Sequence, residues 1–370
     1  MSARFLTVVL ERAFNMRDGF GREIDYMRIS VIDSCNLNCY YCNPCDNNEH
    51  CHALNILSVK EVLCIVRAAT RLGIKHFRLT GGEPLLHPQL DEMVLQIKKI
   101  PGVSSVSLTT NAVLLAQHAK WLKEAGIDSI NVSLDTIDAS EYERITKKPL
   151  FEEVKHGINA AIECGIRVKI NVVLTPQTDV VALTRYVAKK GTDIRFIEMM
   201  PVGEGHTNGV EPYKKVIGTL SKLYGEPCRI NTEKTKEINS GNDKRKIPDN
   251  GPAEYYIFPE LGIRVGLIQA IHGKFCDTCN RIRVTADGRL MPCLGSSVTM
   301  DLVPDSWDFA DDVEKDFAIV RALRAAIKAK PRCHNFNDNA VTYTKTTETK
   351  TTEIEAAEVN AARNMSRIGG

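Results

Sequence analysis

Six short apolar runs rich in β-branched residues punctuate the first part of the chain: MRISVI at 27–32, KHFRLT at 75–80, VSSVSLTT at 103–110, SINVSL at 129–134, RVKINVVL at 167–174 and DIRFIEM at 193–199. Each predicts a strand. Between them apolar residues recur at helical spacing. Ser58-Val59-Lys60-Glu61 opens one such segment with a capping box, and Phe151 to Cys164 forms another that stops at Gly165. Strands alternating with helices predict a parallel sheet joined by right-handed crossovers.

Six β–α units fall two short of a closed eight-stranded barrel, so the expected class is α/β, a partial (β/α)6 TIM-type barrel. The polar motifs stand just past strand ends, where such a barrel has its active site. Cys35 to Cys42 follow the first strand and Gly81-Gly82-Glu83-Pro84 the second. Asn111 ends the third and Ser133-Leu134-Asp135 the fourth. Lys169 and Asn171 lie in the fifth, and Arg195, Glu198 and Met200 in or after the sixth. Taken singly, GGEP reads as a turn and SLD as a helix cap. Together on one face they read as a site.

After Pro201 the rhythm breaks. A polar stretch at 239–251 reads as a surface excursion. Strand-like pieces follow at 254–258, 263–271 and 281–286, then a helix through Val320 to Ala329. From 337 the chain is poor in large apolar residues, which predicts a mobile tail. The expected organisation is a barrel domain over 1–204, a C-terminal region over 205–336 and a tail over 337–370.

Charge narrows the function. Among 370 residues, 48 basic and 46 acidic side chains give a net charge of +2, which removes any global electrostatic case for nucleic acid or an anionic membrane. The run Phe5 to Leu10 is too short to span a bilayer and has no cleavage pattern behind it. A cytoplasmic protein is expected, and its 12 cysteines then read as metal ligands or catalytic thiols rather than disulfides.

Two triads stand out. Cys35, Cys39 and Cys42 form C-x-x-x-C-x-x-C within one loop, a set that can ligate three irons of a cubane cluster and leave the fourth open to a cofactor. Zinc is the alternative, and Cys45 makes a shifted triad arithmetically available. Cys276, Cys279 and Cys293 form the second triad, to which His272 could add a zinc ligand. Beside it Arg281 and Arg283 point to one side of a strand, a pairing suited to phosphate oxygens. Cys51, Cys64, Cys164, Cys228 and Cys333 read as incidental or structural thiols.

With Tyr41 before Cys42 and GGEP after the next strand, the sequence resembles the radical S-adenosylmethionine superfamily. FCDTCNRIRVTADGRLMPCL, RFIEMMPVG, GPAEYY and the terminal MSRIGG resemble one family within it, the GTP 3′,8-cyclases, which act first in molybdenum-cofactor biosynthesis. The resemblance implies two [4Fe–4S] clusters, on Cys35, Cys39 and Cys42 and on Cys276, Cys279 and Cys293. It implies S-adenosylmethionine contacts at Tyr41, Gly82, Ser133 and Met200. GTP contacts fall on Arg28, Arg78, Thr109, Lys169, Arg195, Arg281 and Arg283, with the guanine on the open iron of the second cluster. Gly369 and Gly370 would reach into the active site, with Arg367 beside them. Cleavage of S-adenosylmethionine would give a radical that takes hydrogen from C3′ of GTP, and the carbon radical would close onto C8. An external electron donor and a downstream cyclic pyranopterin monophosphate synthase are the implied partners, and a homodimer is left open. Ser34, Asn43, His76 and Ala112 depart from the family's usual residues; the change at His76 puts one phosphate contact in doubt, since a neutral imidazole is a weak anion partner. The rival readings are a peptide-modifying radical enzyme with an auxiliary cluster and a zinc-stabilised binding module.

Overall fold

The computed structural model describes residues 16–42, 55–202, 209–230, 251–296, 298–302, 312–334 and 336. The expectations for Asn43, Cys45, Cys51, Arg367, Gly369, Gly370 and the tail lie outside them.

The six predicted strands form as β1 (Tyr26–Ser30), β2 (His76–Thr80), β3 (Ser105–Thr110), β4 (Ser129–Ser133), β5 (Val168–Leu174) and β6 (Asp193–Glu198). Each pairs in parallel with the next. The intervening helices are α1 (Val59–Arg71), α2 (Leu90–Lys98), α3 (Leu115–Glu124), α4 (Ala139–Thr146), α5 (Phe151–Glu163) and α6 (Val180–Lys189). The Ser58–Glu61 capping box is present at the start of α1 in both directions, and α5 ends before Gly165, whose φ of 68° only glycine adopts freely. Helix faces close over strands in a continuous apolar core that includes Ile65, Met93, Leu122 and Ile158.

The rest of the chain extends this same sheet. After α7 (Gly218–Tyr224) come β7 (Cys228–Ile230), β8 (Glu254–Ile257), β9 (Arg264–Ile268), β10 (Arg281–Val284), β11 (Arg289–Met291) and β12 (Met300–Asp301). β9 lies parallel beside β6 and β10 parallel beside β1. Eight parallel strands therefore run in the order β10-β1-β2-β3-β4-β5-β6-β9, with antiparallel β8 and β7 beyond one edge and β11 and β12 beyond the other. Among the described residues, strands from both sides of the expected 204/205 boundary share one sheet.

An acidic side chain ties down each of the two added parallel strands. Asp193 at the start of β6 accepts from the backbone N–H and Nε of Arg264, at 3.2 and 3.1 Å. Asp25, just before β1, accepts from Asn280 Nδ2 at 2.7 Å. α8 (Asp312–Lys328) begins at Asp312, ahead of Val320, because its first turns are charged and give no apolar signal. Arg71 of α1 pairs with Asp316 of α8 at 2.8 Å. No helix among the described residues is long and apolar enough to cross a membrane.

A candidate active site in the mouth of the barrel

The loop after β1 is shaped by contact with the loop after β2. Gly82 N–H donates to Ile32 O at 2.7 Å and Glu83 N–H to Ser34 O at 2.8 Å. The approach is so close that a Cβ on Gly82 would stand 2.1 Å from Ser34 O, and one on Gly81 2.4 Å from Ile32 O. The cysteine loop lies over these glycines, and Asn111 Nδ2 reaches Cys35 Sγ at 3.8 Å and Asn36 Oδ1 at 2.7 Å. Ala112 takes φ of 67°, a conformation that costs a side chain roughly 1–2 kcal/mol.

Two carboxyls, Glu83 buried and Asp135 half-buried, brace this loop. Glu83, 1% exposed, accepts from Thr110 Oγ1 and Asn111 N–H at 2.7 Å and from Leu85 N–H at 3.0 Å. Burial nevertheless pushes its carboxyl up to about 7. Asp135 accepts from the Tyr41 hydroxyl at 2.5 Å and Val173 N–H at 2.7 Å, and burial raises it to about 6. Tyr41, the aromatic of the cysteine motif, is thereby tied to the Ser133-Leu134-Asp135 end of β4.

In the unfolded chain both carboxyls lose their protons in the ordinary carboxylate range, whereas the folded chain holds them to about 6 and about 7. Their stabilisation is complete below the ordinary range and is lost as pH rises through those values. For Glu83 the loss is on the order of 3 kcal/mol. In the metal-free protein, the stability advantage of wild type over Glu83→Gln is expected to shrink by that order between about pH 5 and about pH 8. Chemical denaturation at each pH measures it, and a constant or growing advantage refutes the burial argument.

All three thiols of the first triad line one cavity of about 300 Å³, and the second triad lines the same cavity. Cys276 opens a short 3-10 turn, Cys279 N–H donates to Cys276 O at 3.2 Å, and Cys293 follows β11. Burial raises the thiols of Cys35, to about 11, and of Cys39. Cys279 is buried too, yet the charges of Arg281 and Lys330 more than reverse that effect and bring it to about 7. Every one of the six is free of disulfide. His272 does not join the second triad: its Nδ1 bonds the buried Glu198 carboxylate, which also accepts from Ile271 and His272 N–H at 2.7 and 3.1 Å.

Between the triads lies a row of guanidinium groups. Register places Arg283 of β10, Arg28 of β1 and Arg78 of β2 side by side. Burial, then repulsion from Arg281, lowers Arg283 to about 10, and burial with the charges of Arg283 and Arg78 lowers Arg28 well below its usual value. Arg281 stacks over Phe275 at 5.0 Å, Arg78 over Tyr26 at 5.7 Å, and Arg195 Nε donates to Asn171 Oδ1 at 2.9 Å. The buried Thr109 hydroxyl has no hydrogen-bond partner among the described residues. Gly82, Ser133 and Met200 border the cavity as well. Lys169 lies beneath its wall, with Nζ 5.9 Å over the Tyr255 ring, and His76 bonds Ser105 Oγ at 2.8 Å away from it. Sequence reasoning passed over Arg22 and Lys330, isolated basic residues that no local motif distinguishes.

A model described as "Radical SAM superfamily" matches residues 29–182 and one described as "Molybdenum Cofactor Synthesis C" matches 192–336. A GTP 3′,8-cyclase of Clostridium perfringens (strain SM101 / Type A) is 35% identical over 324 residues, which is 87% of this chain and 95% of the relative. One from Peptoclostridium acidaminophilum is 37% identical over 328 residues, 87% of this chain and 94% of its own. Among solved structures, Streptococcus suis SuiB aligns with a TM-score of 0.55 at 15% identity, covering 82% of this chain and 68% of its own, and shares the fold.

Membership of the superfamily implies one [4Fe–4S] cluster and bound S-adenosylmethionine. The residues fit. Three thiols share one cavity wall, and Gly81 and Gly82 let the loop that carries them approach closer than any Cβ would allow. A cubane takes each of three thiolates on a separate iron, which three thiols along one cavity wall can supply. Its sequence over nearly its whole length places the chain in the GTP 3′,8-cyclase family of radical S-adenosylmethionine enzymes.

Proposed function

We propose that the chain converts GTP to (8S)-3′,8-cyclo-7,8-dihydroguanosine 5′-triphosphate, the first step of molybdenum-cofactor biosynthesis. The observation that carries this reading is the single cavity that joins two thiol triads across a row of arginines. Cys35, Cys39 and Cys42 hold the first cluster, and Cys276, Cys279 and Cys293 a second, auxiliary one. S-adenosylmethionine bound beside the first triad would supply, when reduced, the radical chemistry that removes hydrogen from C3′ of GTP.

The chain's own groups do the positioning. Gly82, Ser133, Met200 and Tyr41 border the place for S-adenosylmethionine, with Tyr41 held by Asp135. Arg28, Arg78, Arg281 and Arg283 supply fixed donors for a triphosphate, which needs several at once. Thr109 offers its unpartnered hydroxyl and Arg195 closes the opposite wall. Lys169 adds its charge from one pleat below. Apolar wall residues such as Ile197, Ile268 and Phe275 keep water from the reacting carbon. Gly369 and Gly370 belong to the proposed site by family resemblance.

Incubation of the anaerobically reconstituted protein with S-adenosylmethionine, reductant and GTP is expected to give 5′-deoxyadenosine and the cyclised nucleotide in step with GTP consumption. Turnover that requires a peptide while GTP stays inert would point to a peptide-modifying enzyme and overturn the reading.

A further inference from the structure

The second triad is held by two separated stretches of backbone, 276–281 and 292–293, and two buried cations, Arg22 and Lys330, bind both, with Lys330 also bordering the shared cavity. Arg22, in the segment before β1, is 8% exposed. Its Nη1 donates to Cys276 O at 2.7 Å and to Arg332 O at 2.8 Å, and its Nη2 to Pro331 O at 2.6 Å. Lys330, just past α8 and 3% exposed, donates from Nζ to Arg281 O and to Pro292 O, both at 2.8 Å. Arg281 follows Cys279 by two residues, and Pro292 precedes Cys293 directly. One cation therefore fixes the carbonyl of Cys276, and the other cross-links the strands that deliver Cys279 and Cys293.

Arg22 is itself held. Asp18, 4% exposed, accepts from Arg22 Nε at 2.5 Å and Arg22 N–H at 3.0 Å, and from Phe20 N–H at 2.9 Å. Burying an ion pair costs several kcal/mol in desolvation unless its hydrogen bonds are completed, and here they are completed by the carbonyls that frame the triad. A backbone segment needs no such device merely to be a loop. We propose that Arg22 and Lys330 are positioning residues that hold Cys276, Cys279 and Cys293 in place to bind the auxiliary cluster, with Asp18 orienting Arg22. The inference rests on the two-cluster reading above.

Anaerobic reconstitution of Arg22→Met and Lys330→Met, with iron analysis and low-temperature electron paramagnetic resonance, tests it. Wild type is expected to hold about eight irons per chain and each variant about four, with the signal of the first cluster kept. A Cys276→Ala/Cys279→Ala/Cys293→Ala chain serves as reference. Asp18→Asn, which keeps the Arg22 charge but loosens its aim, is expected to bind intermediate iron. Full iron and an unchanged second signal in both Met variants would overturn the proposal while leaving the two-cluster reading intact. Loss of both clusters together, with a collapsed thermal transition of the metal-free chain, would mark the cations as supports of the whole fold and overturn it as well. Should wild type hold no more iron than the triple-cysteine reference, the two-cluster reading fails and the proposal with it.

Discussion

Gly82→Ala is expected to abolish nearly all cleavage of S-adenosylmethionine while the chain still folds. The new Cβ would meet Ser34 O at 2.1 Å, Ser34 C at 2.4 Å and Asp33 O at 2.7 Å. All are backbone atoms, so no side chain can swing aside. Relief has to come from moving the loop that begins one residue later at Cys35, or from moving the Gly81–Glu83 turn away from Thr110 and Asn111. A displacement near 1 Å at a reacting centre costs roughly 100-fold in rate, and overpacking of this kind costs about 1–3 kcal/mol in stability. The measurement is 5′-deoxyadenosine formed per unit time after anaerobic reconstitution. Gly218→Ala in α7, where nothing lies within 4 Å, is the control and is expected to keep the wild-type rate. A Gly82→Ala rate within a few-fold of wild type would refute the contact argument.

Arg28→Met is expected to weaken GTP binding on the order of 100-fold, as loss of charge-assisted hydrogen bonds of about 1.5–3 kcal/mol implies. Arg28 is the centre of its row, with Arg283 on one side and Arg78 on the other, so no neighbouring cation can take its place. Burial and these two neighbours already disfavour its charge. An anion laid across the row relieves that repulsion, and so inorganic triphosphate alone should raise the thermal midpoint of the wild-type protein. The rise should weaken with added salt and be largely lost in Arg28→Met. Calorimetric titration with GTP and thermal scans with triphosphate check both halves. Equal affinity in variant and wild type would remove the arginine row from the nucleotide site.

What the sequence disclosed divides along a physical line. Strands β1 to β6 and the capping box of α1 are local events, written in β-branched runs and in one Ser-x-x-Glu spacing, and they form within a residue or two of expectation. The cysteine triads are equally local, and both line the cavity. Pairing between distant segments leaves no such trace. That β9 lies beside β6 and β10 beside β1 depends on Asp193 with Arg264 and on Asp25 with Asn280, single polar residues without period or motif. β7, β11 and β12 are two or three residues long, too short for any alternation to show. Arg22 and Lys330 act through carbonyls far away in sequence, a partner type that side-chain patterns do not reveal.

The place of β10 bears on how the chain is made. Until residues 281–284 have left the ribosome, β1 has a partner only on its β2 side. Its other edge, in a strand buried almost throughout, is then an open template for pairing with other chains. β6 waits in the same way for β9. A nascent chain that has completed all six β–α units is therefore still sticky at both ends of its sheet, and its arginine row lacks Arg283. Synthesis of β9 and β10 covers both edges and completes the arginine row.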